Sequence, residues 1–186
     1  MMIIMSTFSL PPLASQGALT GAASPEKPPS ASSEHDFDFL VGRWTVRHRR
    51  LQGRLVHNSE WETFNGTCES RSILGGQANL DDNVLELPGG AYRAATIRMF
   101  DPSTRKWAIW WFDARSPHQL APPVVGEFRN GVGTFFADDQ MSGKPIRVRF
   151  TWSEITDKTA RWEQAFSADG GKTLEVNWVM NFERGG

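Results

Sequence analysis

Asp36 to Arg50 reads DFDFLVGRWTVRHRR. A short apolar lead, Phe37, Phe39 and Leu40, runs into Gly42-Arg43-Trp44, and from there the chain alternates strictly. Alternation with a period of two marks a strand with one buried face. Trp44, Val46 and His48 therefore share one face, with Arg43 and Arg47 on the other.

The rest of the chain repeats this pattern. After Asp36, short alternating runs recur roughly every 8 to 14 residues, separated by Gly, Asn, Pro and Asp, and no long segment carries a helical period. The body reads as antiparallel sheet. Asn65-Gly66 is a strong hairpin dipeptide, and as a two-residue turn it sets Trp61 opposite Ser70 and Thr63 opposite Cys68. A turn around Gln52-Gly53 sets His48 opposite His57, and Trp44 opposite Trp61. Both registers give one common face: Trp44, Val46 and His48, then His57, Ser59 and Trp61, then Cys68, Ser70 and Ser72. The opposite face carries Arg43, Arg47, Glu60, Glu62, Glu69 and Arg71. The tryptophan face is expected to point inward. Its Ser, Cys and His residues leave volume and hydrogen-bonding capacity unfilled, which predicts a roomy, partly polar cavity.

Further strands are expected over 76–87, 92–101 and 106–113, the last reading KWAIWWFD, where Trp107, Trp110 and Trp111 must cover both faces. Residues 117–123 read as a loop, and Asn130-Gly131 as a second hairpin turn. Ile146, Val148, Phe150 and Trp152 form one face of a later strand, answered by Trp162, Gln164 and Phe166. On the final strand Leu174, Val176, Trp178, Met180 and Phe182 are expected inward, bringing Arg184 to the same face.

Composition bounds the function. Across 186 residues there are 20 basic and 21 acidic side chains, a net charge of -1 spread along the chain, so no nucleic-acid or anionic-membrane footprint is visible. A single cysteine, Cys68, rules out an intramolecular disulfide and a cysteine-based zinc cluster, and reads as a small buried residue. Residues 1–35 stand apart as a disordered leader, Pro-, Ala- and Ser-rich from Pro11 onward. The apolar start, Met1 to Leu10, lacks a basic lead, which makes a weak signal sequence, and Met5 is an alternative start. The expected location is cytoplasmic, with export as the alternative. No stretch approaches the roughly 18 apolar residues of a membrane-spanning helix.

The strand plan and the pair Trp44 and Arg184 resemble lipocalins, in which an arginine of the last strand covers the Gly-x-Trp tryptophan. FDFLVGRW, FDPSTRKWAIWWFD and SADGGKTLEVNWVMNFER are similar, across Asp36 to Arg184, to a lipocalin-like bacterial domain family of the calycin group to which no reaction is assigned. The resemblance implies an all-β, antiparallel lipocalin-like (calycin) barrel, here of about ten strands over 36–186. It also implies a structural cap of Trp44 and Arg184. In the related nitrobindin barrels the haem ligand is a late histidine, whereas the last histidine here is His118 in a Pro-rich loop. SADGGKT at 167–173 resembles the sialidase Asp-box, but it occurs once and reads as a hairpin turn.

The expected function is binding of a small hydrophobic or aromatic molecule in the barrel. Trp44, Trp61 and Trp111 offer ring surface, and His48, His57, Ser59, Ser70, Arg98 and Gln164 offer polar contacts. The alternative is a cofactor-free isomerase, cyclase or hydro-lyase using His48 and His57 as catalytic acid and base. A metal shared by these two would need a third ligand such as Asp82 or Glu86. Neither metal nor cofactor is expected, and the protein is expected to be a monomer or homodimer.

Overall fold

The computed structural model describes residues 31–185. Ten antiparallel strands close into one barrel: β1 (Gly42–Leu51), β2 (Trp61–Ile73), β3 (Ala78–Leu87), β4 (Gly90–Asp101), β5 (Lys106–Asp113), β6 (Val124–Arg129), β7 (Val132–Met141), β8 (Lys144–Ser153), β9 (Thr159–Ser167) and β10 (Glu175–Arg184). Each strand pairs with the next, and β10 returns to β1, so no sheet edge is left open. The expected leader lies outside the described residues as far as residue 30. Beyond it the chain is held: Phe128 N donates to Ser32 Oγ at 3.2 Å and Trp107 Nε1 to Ser33 O at 3.1 Å.

One end of the barrel is closed by the FDFLVGRW segment. A single 3-10 turn (Asp38–Leu40) lays Phe37 across the opening, edge-on to Trp107, Phe128 and Trp152 at centroid distances of 4.9, 5.0 and 5.9 Å. Such contacts add to the burial of the ring itself. Trp44 Nε1 donates to Leu40 O at 2.7 Å, and the Arg184 guanidinium stacks 4.2 Å from the Trp44 ring centroid. The same guanidinium donates to the carbonyls of Val41, Phe39 and Asp157. Gly42 makes room for it: a Cβ there would stand 2.7 Å from Arg184 Nη1, and its φ of +120 favours glycine.

The hairpin at Asn130-Gly131 joins β6 to β7, with Arg129 opposite Val132. Asn65-Gly66, in contrast, is no turn. Both residues lie inside the continuous strand β2, where Gly66 faces Val46 on β1 and Leu85 on β3. Gly66 is required by a close approach: a Cβ would stand 2.4 Å from Val84 O and 2.7 Å from His48 Nε2. The expected tight turn at Gln52-Gly53 is instead a longer loop, residues 52–60, closed by Gln52 N donating to Glu60 O at 3.0 Å.

These two differences change the register. Trp44 pairs with Cys68 and His48 with Phe64, while Arg43 reaches Glu69 at 3.3 Å. Without a turn at Asn65-Gly66, the parity of β2 runs unbroken: Phe64, Gly66, Cys68 and Ser70 face inward, and Trp61 does not. On β10 the alternation also breaks. A bulge between Val176 and Trp178 leaves Asn177 unpaired on the strand and fully buried, so Glu175, not Val176, aligns with inward-facing Phe166. On β5, Trp107 and Trp111 face in and Trp110 faces out.

Candidate functional site

The half of the barrel away from Phe37 is not filled. A cavity of about 300 Å³ opens there, walled by Trp111, Phe150, Trp162, Phe166 and Trp178, with Tyr92, Gln164, Arg50, Arg54 and Arg115 toward its mouth. Trp162 and Trp178 meet edge-to-face at 5.7 Å, and Trp111 and Trp178 at 6.2 Å. The three indoles thus form one connected aromatic wall. Beneath it lies a small chamber of about 30 Å³, room for about one water molecule. Ile109, Trp111, Phe150, Trp162 and Met180 line both spaces.

The floor of that chamber is polar. The Arg98 guanidinium donates to Asp81 Oδ2 at 2.6 Å and to Asn79 Oδ1 at 3.1 Å; Asp81 Oδ1 also accepts from Asn83 Nδ2 and from Thr96 N. Both charges are buried, with side chains 6% and 2% exposed. A buried pair persists only when its remaining hydrogen-bonding groups are satisfied, and Asp81 meets this condition. Arg98 does not, since among the described residues its Nε has no partner, and neither has the nearby buried Ser70 Oγ. Arg98 also lies over the Phe37 ring at 5.2 Å.

At the mouth the charges are distributed unequally. Arg50 faces inward and is bound to Glu62 through its Nε and Nη2, at 2.8 and 2.5 Å. Arg115 is fixed by a two-point contact to Asp113 and lies 3.6 Å from the Tyr92 ring centroid. Arg54 is half-buried, and has no salt bridge among the described residues. Burial first, and the neighbouring Arg50 second, hold its guanidinium below the ordinary arginine value. Burial also raises the Tyr92 phenol.

The two histidines expected to form a pair are apart. His57 sits in the 52–60 loop, exposed, with φ of 56. His48 is buried, stacked on Phe64 at 4.6 Å and accepting a hydrogen bond at Nδ1 from Trp178 Nε1 at 3.3 Å. That bond fixes a neutral imidazole with its proton on Nε2, directed at Gly66. Burial, and then Arg50, lower the His48 value to about 4. His48 supports the aromatic wall from behind and does not line the cavity. Because the pair depended on the turn at Gln52-Gly53, the longer loop dissolves it.

Ser59 is exposed in the same loop, and Trp61 lies outside the barrel beneath Arg49, 4.3 Å from its guanidinium. Trp44 belongs to the closed end. Ser70 faces inward beside the polar floor, Arg98 lines the small chamber, Trp111 lines both spaces, and Gln164 lines the large cavity while donating to Asn177 Oδ1 at 2.8 Å. Asp82 and Glu86 are on the outer surface, where Asp82 is bound to Arg93. Among the described residues no three His, Cys, Asp or Glu side chains converge as a metal site would require. Cys68 is buried, and burial followed by Asp81 push its thiol well above the ordinary value, which leaves it unreactive.

Sequence reasoning missed Arg50, Arg54, Tyr92 and Arg115 as cavity residues, and it placed Trp162 and Trp178 on inward faces without assigning them to the site. For Arg50 a signal was present: the inward series Trp44, Val46, His48 reaches Arg50 at its next step.

Among solved structures, the chain is similar to the S-type phycobiliprotein lyase of Guillardia theta, with a TM-score of 0.54 and 10% identity over 83% of this chain and 93% of that one. The fold is a lipocalin-like calycin barrel. No protein-family model matches the chain, and no curated protein matches it in sequence. No helix among the described residues is long and apolar enough to cross a membrane.

Proposed function

We propose that this barrel binds a small, largely aromatic or hydrophobic molecule in the cavity walled by Trp111, Trp162 and Trp178. The observation that carries the reading is the unfilled volume of about 300 Å³ in a molecule whose other end is packed with rings. Protein interiors are ordinarily close-packed, so unfilled volume of this size between rings, open at a mouth, fits a site that receives a molecule. Its walls are apolar with a few polar groups, the usual composition of a ligand site. The rings supply affinity, and Gln164 supplies a directional contact. The barrel shared with the phycobiliprotein lyase supports the architecture, and the ligand class rests on the cavity.

The test is a titration of the purified protein with the neutral fluorophore N-phenyl-1-naphthylamine, combined with native mass spectrometry. Saturable quenching of tryptophan emission with one ligand mass per chain supports the reading. Absence of both overturns it.

A further inference from the structure

We propose that the molecule received by this cavity carries an anionic group, a carboxylate, sulfonate or phosphate, that docks against Arg54 at the mouth while its apolar body lies among Trp111, Trp162 and Phe166. The proposal rests on the cavity being a ligand site and adds the chemistry of one end of the ligand.

The argument begins with the charges that face the mouth from every element around it. The cations lining the cavity are Arg50 on β1, Arg54 on the following loop and Arg115 after β5. The acids lining it are Asp113, Asp138 and Asp139, with Glu62 and Glu175 close by. Arg50 is committed to Glu62, Arg115 to Asp113, and Asp138 to Arg147. Glu175 Oε1 accepts from Leu55 N at 2.8 Å and contacts Arg54 only through space. Asp139 is exposed to water. Among the described residues, Arg54 remains as the half-buried cation of the cavity lining with no carboxylate in contact.

Arg54 is also placed, not loose. Its neighbour Leu55 has a φ of 58, packs against the core, and is tied to β10 through Glu175. Glu175 reaches that position because of the bulge at Asn177. Backbone in this region is uncommon for a residue other than glycine and persists where its surroundings enforce it. The guanidinium is thereby carried to the cavity, 5.8 Å from the Phe166 ring centroid. A partly desolvated arginine without a counterion gains more from an incoming anion than one already paired, and its planar fork fits an oxyanion at two points. Reduced hydration and repulsion from Arg50 act in the same direction and outweigh the through-space attraction of Tyr92, Glu62 and Glu175.

The experiment compares two probes sharing one ring system: 8-anilinonaphthalene-1-sulfonate, an anion, and neutral N-phenyl-1-naphthylamine. The wild-type protein is expected to bind the sulfonate at least about tenfold more tightly at low ionic strength, the range of one charge-assisted hydrogen bond. Arg54→Gln should abolish that preference while changing the neutral probe's affinity less than about twofold, and Arg54→Lys should keep part of it. Mutual displacement of the probes shows that they share a site, and unchanged thermal melts show that each variant is folded. Equal affinities in the wild type, or a preference that survives in Arg54→Gln, would overturn the anion proposal and leave the cavity reading standing. Failure of both probes to bind would overturn both.

Discussion

At the closed end of the barrel, Arg184 stacks on Trp44 and gives its donors to three backbone carbonyls, and Phe37 is enclosed by rings. At the open end, Trp162 and Trp178 also stand edge-to-face and arginines also lie over rings, yet volume remains and Arg54 has no counterion among the described residues. The residue types are the same. What differs is the chain that enters each end. The closed end receives a short segment folded back as a plug. The open end receives the 52–60 loop, which is anchored at its margin and leaves the space between the indoles clear. A shared composition of tryptophan and arginine therefore yields a structural cap in one place and a candidate binding site in the other.

If this contrast is right, damage to the closed end should cost stability first. Trp44→Ala should lower unfolding stability by about 3–5 kcal/mol, the usual cost of removing a buried large aromatic side chain. Urea denaturation measures it. A loss below about 1 kcal/mol would mean that the plug is not a packed core.

The wall behind the cavity should fail with acid. His48 has a folded value of about 4 against an ordinary 6.5, so its depressed value contributes stability that is complete above about pH 6.5 and is lost as pH falls toward 4. The shift corresponds to up to about 3 kcal/mol. Urea midpoints at pH 7.5 and 4.5 should diverge less in His48→Gln than in wild type, since glutamine does not titrate. An equal divergence in both would show that His48 is not held neutral.

A smaller effect is expected at Gly66, where an added methyl meets the Val84 carbonyl and the His48 ring. Gly66→Ala should cost about 1–3 kcal/mol, as overpacking does. The same substitution in a true Asn-Gly hairpin turn would chiefly strain the turn itself, so loss of the His48 to Trp178 contact, read by tryptophan fluorescence, distinguishes the two. Smallest of all, Arg54→Gln should change stability by under about 0.5 kcal/mol. A large loss there would make Arg54 part of the framework, as Arg184 is.

The fold was legible because its signals are local. Alternation with a period of two, the Asn130-Gly131 turn and the Gly-x-Trp lead each act within a few residues, and together they specify an antiparallel barrel of about ten strands. The site was less legible because its determinants are distant. Asn65-Gly66 has the composition of a turn, but its glycine answers to the His48 ring from β1 and the Val84 carbonyl from β3. Reading it as a turn inverted the parity of β2 only ahead of it, from Trp61 to Phe64, which turned Trp61 inward and hid the contact between Arg50 and Glu62, while Cys68 and Ser70 beyond it face inward as expected. The bulge at Asn177 had no local mark either, because Val176 alternates as well as any strand residue. Arg98 and Gln164, which rest on uninterrupted alternation, were placed facing inward, as they stand.

The central claim is that the two ends differ in function as well as packing, and 19F NMR of protein labelled with 5-fluorotryptophan tests it most directly. The eight tryptophans sample every part of the barrel. On addition of N-phenyl-1-naphthylamine, the resonances of Trp111, Trp162 and Trp178 should shift, assigned by single Trp→Phe variants, while those of Trp44 and Trp107 stay in place. Shifts confined to the closed end or to the outward-facing Trp61 and Trp110, or no shift at any site, would contradict the account.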